Sequence, residues 1–179
     1  MTETGARYLR FAAMIATSMI VMFVIMYLNT FAIEHARWSE TRFYMTFVMG
    51  AAMTVVMLSF MLGMYDDRRI NLAIFVGAAL VFVLALALVR SQATVGDRSY
   101  MSAMIPHHSI AILTSERAHI DDVRVRALAD GVIEAQRREI QEMDWLIEDI
   151  RRNGEATTQD EADRRPVPTF DVEDTSGAS

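Results

Sequence analysis

Three stretches of this chain, residues 11–33, 43–65 and 70–89, carry no charged side chain, and each is bracketed by charges: Arg10 and Glu34, Arg42 and Asp66, Arg69 and Arg90. A helix rises about 1.5 Å per residue, so runs of 20 to 23 residues match the roughly 30 Å hydrocarbon core of a bilayer. The expectation is three transmembrane helices within 11–90, preceded by a short segment 1–10, with the lipid bilayer as first partner. The first run is too long for a signal-peptide core and has no small-residue cleavage site after it, so it reads as a retained span. Arginines near the span ends tie, with Arg7, Arg10, Arg68 and Arg69 on one side and Arg37, Arg42, Arg90 and Arg98 on the other. Clustering of Arg68 and Arg69 in a short loop leans toward an inside amino terminus, which sends the carboxyl-terminal half outward.

Charge is segregated along the chain. Residues 1–96 hold 5 acids against 7 arginines, whereas residues 97–179 hold 18 acids against 10 arginines, so the second half is built for water. Lysine is absent, which excludes Schiff-base and P-loop lysine chemistry, and the lack of cysteine excludes disulfides, thiolate metal sites and cysteine nucleophiles. A net charge of −6 argues against nucleic acid as a partner. With no nucleophile elbow, glycine-rich phosphate loop or paired-acid signature, no enzyme is expected.

Methionine is frequent, 14 in all, and periodic: Met45, Met49, Met53, Met57 and Met61 recur every fourth residue, and Met19, Met22 and Met26 at three and four. Both sets form helical stripes. Flexible thioethers filling gaps between helices account for such stripes. A soft-ligand track is the other reading, because thioether sulfur prefers Cu(I) to hard cations.

In the polar half, Asp97 suits the N-cap of a helix running to about Ala118, and Asp121 or Asp122 that of a second helix ending at Asn153 and Gly154. The two predict an antiparallel hairpin over 97–153. Residues 154–179 are acidic and polar and contain proline, a composition that points to a disordered tail. The fold class expected is therefore all-α.

At about 100° per residue, the second helix gathers Leu128, Val132, Ala135, Met143, Leu146 and Ile150 on one arc, with Gln136 and Glu139 inside it. The first gathers Tyr100, Met101, Met104, Ile105, His108, Ala111, Ile112 and Ser115, with His107 at the edge. A carboxylate in an apolar seam needs a partner, so Glu139 is a candidate ligand. A turn near residue 120 sets Met101 opposite Glu139 and Met104 opposite Gln136, with His107, His108 and Met143 within about two turns. Imidazole with soft sulfur suits copper better than magnesium or calcium. Pro106 removes the hydrogen bond to the Ser102 carbonyl and predicts a kink beside the histidines. A rival Glu-x-x-His spacing, Glu116 and His119, sits about 22 Å from Glu139 in this register and does not complete a di-iron site.

The run from Asp97 to Ile112, with its Met-Ile-Pro-His-His core at 104–108, followed by Gln136, Glu139-Ile140, Met143 and Trp145-Leu146, resembles the bacterial domain of unknown function 305 family over about residues 97–150. The resemblance implies a ferritin-like helical fold, an extracytoplasmic location and copper binding and tolerance through His and Met side chains. By position, Met101, Met104, His107, His108 and Met143 carry over as ligands. Secreted relatives carry two such hairpins and this chain one. Its three spans resemble a membrane-anchored branch in the cytoplasmic (inner) membrane, with the carboxyl-terminal domain outside.

Two function classes follow. One is a copper-binding membrane protein. The other is a structural module whose buried polar residues fix helix pairing without metal. In either, the apolar arcs on the hairpin are wider than one neighbouring helix covers, so a homodimer or higher homo-oligomer is expected.

Overall fold

The computed structural model describes residues 3–28 and 30–170. Every regular element among them is helical: α1 Glu3–Ile25, α2 Glu40–Met61, α3 Arg68–Ser91, α4 Asp97–Arg117, α5 Val123–Asn153 and α6 Gln159–Arg164, with 3-10 turns at Ile33–His35 and Leu62–Met64. The chain divides into two compact units. One holds residues 3–28 and 40–94, and the other holds residues 30–39 together with 95–170.

In the first unit α1, α2 with its 3-10 extension, and α3 are each long and apolar enough to cross a membrane. Their outward surface is made of large apolar side chains, among them Ile20, Val24, Leu72, Leu80 and Leu84, with Phe60 as much as 89% exposed. Contiguous apolar surface of this kind is untenable in water and ordinary in hydrocarbon. The interior is small: Phe11, Ile15, Leu58 and Tyr65 are buried, and methionines pack around them. At one end Tyr8 Oη donates to Asn71 Oδ1 at 2.7 Å, and Asn71 Nδ2 donates to the Tyr65 carbonyl at 2.8 Å, tying α1 to the α2–α3 turn. The Asp67 carboxylate accepts from the Arg69 and Ile70 N–H groups and caps α3. At the other end Arg42 donates to the Met26 carbonyl at 3.0 Å and lies 4.6 Å over the Tyr27 ring.

The first helix departs from the charge-free run 11–33. It starts at Glu3 and takes in Arg7 and Arg10, whose long side chains reach the helix end without breaking it, and it stops at Ile25. Residues 30–39 leave the span because they pack elsewhere. The Phe31 N–H donates to Ser109 Oγ at 2.7 Å, so this loop belongs to the second unit.

In the second unit α4 and α5 pack side by side around Met101, Ile105, Ile112, Ile140 and Met143. Gly96, rather than Asp97, stands at the N-cap of α4, and Asp97 lies in its first turn. Asp122 caps α5, and Gly154 ends it with φ of +78°. The Asp122 carboxyl is held at about 2, chiefly by the Arg124 guanidinium bonded to it. The expected disordered tail contains one short helix among its described residues. Thr158 and Glu161 form a capping box that starts α6, and Arg165 reaches back to Asp149 at 2.7 Å and to the Gly154 carbonyl. The remainder of the expected tail, 171–179, lies outside the described residues.

Candidate functional site

The centre of the second unit is His108, buried on α4. Its Nδ1 lies 2.9 Å from the Met104 carbonyl oxygen and its Nε2 2.7 Å from Glu139 Oε2 on α5. The partner expected for Glu139 thus exists, but at a different register. Glu139 meets His108 and not Met101, about two turns further along α4. The first turns of α5 run past the end of α4, leaving Val123 80% and Leu128 69% exposed, and residues 118–122 double back without helical structure. The same shift shortens the separation expected between Glu116 and Glu139 from about 22 Å to about 12 Å, eight residues of α4 beyond His108, and the Glu116 carboxylate pairs with Arg137 instead. Arg137, standing between the two carboxylates in sequence, neutralises Glu116.

Of the other candidate ligands, Met101 and Met143 are buried in the apolar cluster and Met104 packs against it, so three thioethers share one core. His107 is exposed, its ring 6.2 Å from that of His108. Gln136 is half-buried. Tyr100 and Leu128, expected on the buried arcs, are exposed, with Ala129 buried in place of Leu128. Pro106 is buried within an α4 that runs helical from Asp97 to Arg117.

Among the described residues no three His, Cys, Asp or Glu side chains converge. A zinc or di-iron site built on such groups therefore lacks its ligand set here. The soft donors here are the three thioethers of the α4–α5 core and the His108 imidazole, which meets the backbone of one of those methionines, and these are donor types that Cu(I) prefers. To bind metal, His108 must release either Glu139 or the Met104 carbonyl, because both ring nitrogens are engaged.

Sequence reasoning missed the loop. Ser109, with no exposed surface, sits next to His108, accepts from the Phe31 N–H and lies 2.9 Å from His35 Nδ1. Arg37 pairs with Asp144 on α5 at 2.8 Å. Burial pushes the His35 imidazole below its usual range, while the Asp144 and Glu34 carboxylates pull the other way. A serine beside a histidine suggests a nucleophile and its base, but Ser109 has no path to solvent and its oxygen already serves Phe31. The available signal was Ser109 itself, a hydroxyl on a buried face that had to find partners.

The sequence profile of Domain of unknown function (DUF305) matches residues 86–170. An uncharacterized protein, L153, of Acanthamoeba polyphaga mimivirus is 31% identical over 144 residues, spanning 76% of this chain and 93% of that protein. This chain belongs to the DUF305 family, and the likeness extends beyond the helical pair into the apolar region. No solved structure matches it.

Proposed function

We propose that this protein is a membrane-anchored copper-binding protein of copper homeostasis or tolerance, its α4–α5 pair facing the extracytoplasmic side of a bacterial inner membrane. The observation that carries the reading is the gathering of Met101, Met104 and Met143 in one apolar cluster beside His108. Thioethers bind Cu(I) without bringing charge into the core, and His107, exposed one residue away, is placed to receive the ion first. Glu139 orients His108 until metal displaces it, and Gln136 lies one turn from Glu139 on α5. The pair corresponds to half of a ferritin-like four-helix bundle, and a second copy supplies the other half, covering Leu128 and neighbouring apolar residues. Titration of the detergent-solubilised chain with Cu(I) against a competing chelator should show tight uptake that falls at least tenfold in a His107→Ala/His108→Ala/Met104→Leu variant. Equal uptake by the variant removes the site.

A second reading is favoured by the hydrogen bonds themselves. Both His108 nitrogens are satisfied within the protein, as they would be if the His108–Glu139 pair served only to fix the register of α4 on α5. Metal-free protein whose stability is unchanged by Cu(I) would support it.

A further inference from the structure

The nine methionines between Met14 and Met61 are all half-buried, while the large side chains facing outward on α1 and α2 are Val, Ile, Leu and Phe. Within the same unit α3 packs along α2 and contains no methionine. Packing alone therefore does not require sulfur here; an internal comparison shows the chain building a helix seam from Ala, Val, Leu and Phe. Met14 and Met19 of α1 and Met53, Met57 and Met61 of α2 pack on the single cluster of Phe11, Ile15, Leu58 and Tyr65. The register is set by Gly50, where a Cβ would collide with the Met19 sulfur. Antiparallel passage then brings Met14 within about one turn of Met53 and Met57.

We propose that the α1–α2 seam holds one soft monovalent metal ion, Cu(I) or Ag(I), among the thioethers of Met14, Met19, Met53 and Met57. A cation in hydrocarbon is costly unless ligands replace its water, and neutral sulfur does so without adding a second buried charge. The Arg42 guanidinium at the Met26 end disfavours a cation there, which places the ion at the middle of the seam. This inference stands independently of the α4–α5 site.

The test uses the full chain in detergent with Ag(I), which is redox-inert, and counts bound metal by mass spectrometry of the desalted protein. A variant stripped of the α4–α5 donors (Met101→Leu, Met104→Leu, Met143→Leu, His107→Ala, His108→Ala) should retain one Ag(I), with X-ray absorption showing sulfur ligands only. Adding Met14→Leu, Met53→Leu and Met57→Leu should abolish it. Gly50→Val, which removes no sulfur but displaces Met19, should weaken binding at least tenfold. A stripped variant that binds no Ag(I), or one that shows nitrogen or oxygen ligands, overturns the seam site. Retention after the three seam substitutions overturns it equally, and neither result bears on copper at α4–α5. The X-ray measurement on the stripped protein decides the matter even where a seam variant fails to fold.

Discussion

His108 Nε2 lies 2.7 Å from Glu139 Oε2, and this bond joins α4 to α5 at the heart of their shared core. The Met104 carbonyl oxygen lies 2.9 Å from Nδ1, so both nitrogens of the ring are engaged within the second unit. The buried ring is the half that depends on the bond, since the Glu139 side chain is 42% exposed.

Glu139→Leu should lower the stability of the second unit by about 1–3 kcal/mol, because it strands a buried ring nitrogen. Glu139→Gln, which keeps an acceptor, should lose less. A double-mutant cycle with His108→Leu measures the coupling by thermal denaturation. Additivity of the two changes would mean that the bond holds nothing in place.

Ser109→Ala removes the oxygen that serves both Phe31 and His35. Loss of a buried hydroxyl with two partners should cost about 1–3 kcal/mol and release residues 30–39. Limited trypsin digestion reads this directly at Arg37, where cleavage should accelerate. An unchanged rate would show that the loop is held by other contacts.

Docking of the loop should weaken in mild acid. Burial depresses His35 from its ordinary value of 6.5, so the unfolded chain takes up its proton at a higher pH than the folded one. Its contribution is complete above about pH 6.5 and is lost as pH falls through the lowered value. Hydrogen exchange of residues 30–39 should therefore quicken between about pH 7.5 and pH 5 beyond its intrinsic rate, and His35→Asn should remove that step. A wild-type profile without the step would contradict the assignment.

Arg165→Ala should free α6 from α5. The Arg165–Asp149 contact is largely shielded from solvent on both sides, and the arginine also holds the Gly154 carbonyl at the end of α5. Amide exchange in α6 should rise by an order of magnitude or more, with the α4–α5 core unaffected. Protection equal to wild type would mean that the capping box alone keeps the helix.

Three apolar helices were legible because lipid imposes a minimum length that composition reveals at once. The ends of α1 were not. Its start was hidden because Arg7 and Arg10 read as a border although arginine tolerates a helix end, and its stop precedes a loop whose Phe31 bonds to Ser109, 78 residues further along the chain. Glu139 was legible as a carboxylate needing a partner, but naming that partner required the overhang of α5, which no spacing rule contains. The capping box of α6 is written in Thr158 and Glu161, yet an acidic composition concealed it, and the fixing contact to Asp149 is tertiary.

The dual origin of the second unit has a consequence in time. Two long apolar helices, α2 and α3, separate residues 30–39 from residues 95–170 along the chain, and His35 leaves the ribosome 74 residues before Ser109. At ordinary synthesis rates that interval is on the order of ten seconds. During it Phe31, His35 and Arg37 have no helical pair to join. The loop is thus made before the domain that it joins and stays undocked until α4 has emerged.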